Sequence, residues 1–265
     1  CNSGLEANEC AIKIARKFGH AKGIEVPNII VLKHAFHGRS IATLSATGNP
    51  SVRADFSPYT EGFIFVDESD LDGIRKIVEE NKNVVAIFFE PILGEGGVVP
   101  IDLSVIKGIR EICDEHDLLM MCDEVQCGMG RSGKWFAHQW AEIKPDVITM
   151  AKGLAGGVPV GAVIVSEKAN IFKPGNHGST FGGNPLAMRA ALETLSIIED
   201  EKLVENALEV GKKLKKALSK SLNGFPGVRG IRGKGLMLGI VLDRDAHDIL
   251  ELGLKAGLTF SVTAG

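Results

Sequence analysis

Short unbroken apolar runs alternate with stretches whose apolar residues recur at helical spacing, over most of the chain. Residues 28–33, 62–66, 84–89, 118–123, 146–151 and 162–165 are runs of the first kind, and each reads as a buried strand. Helical patterns lie between and after them. Ala7, Ala11, Ile14, Ala15 and Phe18 define a helix that ends near Gly19 and opens on a Ser3–Glu6 capping box. Leu71, Ile74, Ile77 and Val78 mark another over residues 70–81. Ile106, Ile109, Ile112 and Cys113 do the same over 103–116. Residues 186–222 carry two more, with a break near Asp200. This alternation implies an α/β fold with a mostly parallel, doubly wound sheet. A turn-rich boundary at 225–230 divides residues 1–222 from 223–265, where a strand (235–242), a helix (246–256) and a strand (258–262) are expected. That second piece reads as the start of a smaller α+β domain, too small to bury a core of its own.

Two of the apolar runs end in opposite charges. One stops at Asp123-Glu124 and continues as a Gly-rich loop to Trp135; the other stops at Lys152. A carboxylate at the C-terminal end of a buried parallel strand lies where open α/β sheets bind ligands. Burying it is costly without a partner. Either Asp123 and Lys152 pair with each other, or both face a small molecule between them. In the second case, burial would lower the lysine pKa and free its amine for a carbonyl, while Asp123 would hold the proton on a ring nitrogen. A lysine and a carboxylate in those roles are what pyridoxal phosphate requires. The group also needs a phosphate cup, a stacking face and a fork for a substrate carboxylate. The Ser3-Gly4 helix start, Phe36 and Arg39 supply candidates for each. Glu95, inside the Gly-rich stretch 94–97, is either a turn residue or a gate beside the site.

Composition narrows the class further. A net charge of −3 gives no support for nucleic-acid binding. No apolar run approaches the roughly 20 residues that span a membrane. Five cysteines, an odd number without CxxC spacing, argue against a disulfide framework or a metal site, so a reducing cytoplasm is expected. No GxGxxG follows the first strand and no GxxxxGK[ST] occurs, which weighs against a nucleotide fold. The chain opens on Cys1 rather than Met, so a preceding segment is expected.

The segments CNSGLEAN, HAFHGRS, EPILGEGG, DEVQCGMGRSGK, TMAKGL and HGSTFGGNPLA, in that order, resemble the class III aminotransferases of the type I pyridoxal-phosphate fold. The resemblance implies an α/β/α large domain followed by an incomplete small domain. It also implies a homodimer that exchanges an amino group between a small amino donor and 2-oxoglutarate. It gives Lys152 the role of the lysine that carries the cofactor aldehyde and shuttles the proton. Asp123 would be the partner of the ring nitrogen. Phe36 and Val125 would flank the ring, Gln126 would lie near its hydroxyl, and Ser3, Gly4 and Leu5 would bind the phosphate. Thr180 resembles a residue that reaches the neighbouring subunit's phosphate, and Ser179 one near the substrate. Arg39 resembles the substrate-carboxylate arginine and Glu95 the gate glutamate. Family chains are longer at both ends and carry a second substrate arginine beyond the position of Gly265. Leu93 stands where glutamine is more usual.

Overall fold

The structure is a computed structural model that describes residues 1–263. In chain order its elements are α1 (Gly4–Ala21), β1 (Asn28–Leu32), α2 (Ile41–Ala46), α3 (Pro50–Arg53), β2 (Phe63–Val66) and α4 (Leu71–Glu80). Then come β3 (Val84–Phe89), β4 (Ile92–Leu93), β5 (Val99–Pro100), α5 (Leu103–Glu115), β6 (Leu119–Asp123), β7 (Val147–Met150) and β8 (Ala162–Val165). The chain continues through α6 (Pro185–Asp200), α7 (Leu203–Ser221), β9 (Val228–Lys234), β10 (Met237–Leu242) and α8 (Asp248–Lys255).

The main sheet has the order β2-β1-β3-β6-β7-β8. All its pairings are parallel except β7 with β8, which is antiparallel at the edge. The apolar runs became strands because successive residues serve opposite faces. Ile30, Leu32, Ile87, Phe89, Met120 and Cys122 pack with α4 and α5 through Ile74, Ile106, Ile109 and Ile112. Ile29, Val31, Ala86, Phe88, Leu119 and Met121 face α1 through Ala11, Ile14, Ala15 and Phe18. The layers are therefore α/β/α.

The expected strands and long helices lie within one to three residues of their sequence positions. Three differences stand out. The short helix α2 follows a Ser40–Thr43 capping box that the sequence reading passed over. Residues 228–234, of which only 228–230 belonged to the expected boundary and the rest to no expected element, form β9 and pair antiparallel with β10. Residues 258–262 form no strand, because no neighbouring strand among the described residues offers them a ladder; Leu258 and Phe260 stay exposed. The β9–β10 hairpin packs on α7, where Gly211 lies so close that a Cβ would sit 2.1 Å from Gly235 O.

Candidate active site

The C-terminal ends of β1, β3, β6 and β7, neighbours in the sheet, converge on one cavity of about 510 Å³. Phe36, His37 and Arg39 reach it from the loop after β1, and Glu90 from the residue after β3. Asp123 closes β6, and Lys152 lies just past β7. The opposite wall is the first turn of α1, with Ser3, Gly4 and Leu5, and one turn later Asn8. Parallel strands point their ends the same way, which is why residues from distant parts of the chain meet here.

Asp123 is 2% exposed and holds no lysine. Its Oδ2 accepts from Asn8 Nδ2 at 2.7 Å and from His37 Nδ1 at 2.8 Å, and its Oδ1 accepts from Val125 N at 3.0 Å. His37 is stacked on Phe88, with ring centroids 4.1 Å apart. Lys152 forms no ion pair with Asp123. The structural Asp123–Lys152 pair weighed from sequence is therefore not formed. Lys152 is also exposed, which corrects the expectation that it is buried. It opens a 3₁₀ turn, Lys152–Ala155, with φ +42°, a left-handed value unusual for a residue with a side chain.

Glu124 points away from the cavity. Fully buried, it accepts from Ala137 N, His138 N and His138 Nδ1 at 2.8–2.9 Å and from Cys127 Sγ at 3.2 Å. The Asp-Glu doublet thus splits its work: one carboxylate faces the cavity, and the next anchors the loop that carries Val125 and Gln126.

The start of α1 is held close to that loop. A Cβ on Gly4 would sit 2.5 Å from Val125 Cγ1, so only glycine permits the approach. Gly161 exchanges backbone hydrogen bonds with Cys1, and a Cβ there would lie 2.3 Å from Ser3 O. Ser3 caps the helix by accepting from Glu6 N. The N–H groups of Gly4 and Leu5 meet no protein acceptor among the described residues. With the helix dipole behind them, they form an anion cup.

Phe36 and Val125 are half-buried cavity residues, and the Arg39 guanidinium lies over the Phe36 ring at 5.6 Å. Gln126 lines the cavity and lies against Gly94, where a Cβ would collide with its Oε1. Glu95, Ser179 and Thr180 are exposed and do not line the cavity. Ser179 does accept from Asn2 Nδ2 at 2.9 Å, and Asn2 is a cavity residue.

Sequence reasoning missed Asn8, His37 and Glu90. His37 sits inside a motif already singled out, but it looked like one polar residue among several. Glu90 is 4% exposed and accepts from Phe36 N at 2.9 Å and Gly94 N at 3.2 Å. Burial first, and the neighbouring Asp123 next, push its carboxyl from the ordinary 4.5 up to about 8. An unfolded chain releases this proton near 4.5. Glu90 therefore contributes stability that is complete below that pH and is lost as pH rises through about 8. The thermal midpoint of the cofactor-free protein is expected to fall between about pH 5 and pH 8. Glu90→Gln should start lower, since one amide oxygen cannot serve both N–H donors, but its midpoint should change less over that range. Parallel midpoint curves in calorimetry would contradict this.

Residues 1–264 match the family model described as aminotransferase class-III. The chain belongs to the class III aminotransferases. Among relatives of this class III chain, acetylornithine aminotransferase of Nitrosomonas europaea is 49% identical over 265 residues, covering 100% of this chain and 67% of that protein. Acetylornithine aminotransferase 1 of Bordetella bronchiseptica is 50% identical over 263 residues, covering 99% and 67%. The ornithine aminotransferase structure from Toxoplasma gondii ME49 superposes with a TM-score of 0.95 at 35% identity, covering 100% of this chain and 65% of that one. The chain thus spans about two thirds of the length of these relatives.

Class III aminotransferases depend on pyridoxal phosphate, and the residues present fit that group. The α1 amides offer an unpartnered anion cup. Asp123 Oδ1 takes one donor and keeps acceptor capacity. Lys152 is an amine engaged with no carboxylate of the described residues, on the same cavity. No described helix is long and apolar enough to cross a membrane, and no described His, Cys, Asp or Glu cluster could hold a metal ion.

Proposed function

We propose that the whole protein is an acetylornithine aminotransferase. It would transfer the amino group of N2-acetylornithine to 2-oxoglutarate, giving N-acetylglutamate 5-semialdehyde and glutamate, a cytoplasmic step of arginine biosynthesis. The observation that carries this reading is the match of 49–50% identity along the chain to acetylornithine aminotransferases.

Pyridoxal phosphate, when bound, supplies an aldehyde that exchanges with amines and a ring that takes up the electron pair left on the substrate carbon. The chain's residues do the rest. The amides of Ser3, Gly4 and Leu5 hold the phosphate. Phe36 and Val125 would flank the ring, and Gln126 would lie near its hydroxyl. Asp123 keeps a proton on the ring nitrogen. Lys152 Nζ would hold the cofactor through its carbonyl carbon and, when free, would be the base that moves a proton at the substrate carbon. Arg39 binds a substrate carboxylate, with Ser179 near the substrate and Glu95 as the gate between an amine and a dicarboxylate. Thr180 serves the site of a second copy in a homodimer. Its position outside this chain's cavity, beside exposed Phe181 and Leu186, supports that reading. Residues 1–222 would form the cofactor domain and 223–265 the start of the small domain.

Ornithine, succinylornithine, succinyldiaminopimelate and 4-aminobutyrate are the competing donors. Steady-state assays on the whole protein decide among them. N2-acetylornithine is expected to exceed ornithine and 4-aminobutyrate in kcat/KM by about tenfold or more. A better rate with any of the four competing donors would replace the assignment.

A further inference from the structure

Asn8 has no role in the chemistry above, yet it occupies the centre of the site's polar framework. It is 2% exposed, and its Nδ2 donates to both Asp123 Oδ2 and His37 O, each at 2.7 Å. Both neighbours are acceptors, so the amide orientation is fixed and both its hydrogens are used. The price is a buried Oδ1 with no hydrogen-bond partner among the described residues. An apolar side chain would fill this position without that penalty, so the donor is what the position requires.

We propose that Asn8 is a positioning residue that fixes the Asp123 carboxylate toward the cofactor ring and ties it to the helix that forms the anion cup. This rests on the reading of the site as a pyridoxal-phosphate site. Gly4 and Asn8 are about 6 Å apart along the axis of α1. One rigid helix therefore carries the phosphate amides at its start and the Asp123 donor a turn later. Of the three donors to Asp123, Val125 N belongs to the loop that follows β6 and His37 to the loop after β1. Asn8 alone bonds both to Asp123 and to the backbone of His37. Donating with His37 to Oδ2, it leaves Oδ1 with the single Val125 donor and free to accept from a ring nitrogen.

The test compares two ligands in the whole protein: pyridoxal phosphate, and its 1-deaza analogue with carbon in place of the ring nitrogen. Equilibrium dialysis gives the dissociation constants for wild type and Asn8→Ala. A residue acting through Asp123 on the ring nitrogen should weaken pyridoxal phosphate by about tenfold and the analogue by no more than about twofold. Combined with Asp123→Asn, the Asn8→Ala effect should largely vanish. Equal losses for both ligands would mean that Asn8 only supports the helix, and no loss for either would mean that it does nothing here; each overturns the inference. If Asn8→Ala does not fold, Asn8→Ser, which keeps a small polar side chain, takes its place with the same ligand pair. Wild-type protein that binds neither ligand would overturn the site reading itself, a result distinct from failure of the Asn8 variants alone.

Discussion

Lys152→Ala in the whole protein is expected to lower transamination by about 10³-fold or more, while its thermal midpoint stays within about 2 °C of wild type. Both halves follow from the position of the side chain. Lys152 lines the cavity, is exposed and forms no ion pair with Asp123, so the fold places little demand on it. Its backbone is held at φ +42° at the start of a 3₁₀ turn, and alanine meets the same left-handed strain there as lysine, so the substitution adds none. What disappears is the amine that carries the aldehyde and moves the proton. Pyridoxal phosphate should still bind through the anion cup and Asp123, but without the visible absorbance of a lysine-bound aldehyde. Turnover near the wild-type rate, or an unchanged visible band, would remove Lys152 from its role. A large fall in midpoint with activity retained would instead give Lys152 a purely structural role.

Asp123→Asn is expected to lower kcat by about 10²–10³-fold at saturating cofactor, the size of effect seen when a preorganised electrostatic partner is lost. A neutral amide cannot keep the ring nitrogen protonated. This change also disturbs the fold. Asp123 accepts from three donors, namely Asn8 Nδ2, His37 Nδ1 and Val125 N. An asparagine can turn its oxygen toward the first two or toward the third, so its own NH₂ then faces a donor. Leaving one such group unsatisfied costs about 1–3 kcal/mol. Thermal midpoint and kcat should therefore both fall, unlike in Lys152→Ala, where only activity does. A variant within about twofold of wild-type kcat would refute the role, whatever its stability.

Much of the fold was legible. The strands of the main sheet are apolar runs, and burial on both faces demands that pattern. The long helices show their inward faces at helical spacing. The failures have local causes. In β9 the sequence VRGIRGK mixes glycine and arginine into a strand that is only partly buried, so neither period shows. Residues 258–262 carry the apolar composition of a strand but find no partner strand, and a ladder is not a property of one segment.

The site divides along the same line. Sequence alone determined the chemistry carried at each strand and helix end: the acid after one apolar run, the lysine after another, the Ser-Gly turn before α1, and the aromatic and arginine of the HAFHGRS loop. These are local facts, because a strand end or a cap is set by its neighbours in the chain. Only the tertiary structure decided which group meets which. Asp123 is held by Asn8, 115 residues away, and by His37, 86 residues away, rather than by Lys152. Glu90 joins the same cavity because β3 lies beside β6 in the sheet. Those pairings follow from the strand order β1-β3-β6-β7 and from the packing of α1 across it. Strand order is fixed by long-range burial, which the local pattern of a sequence does not encode.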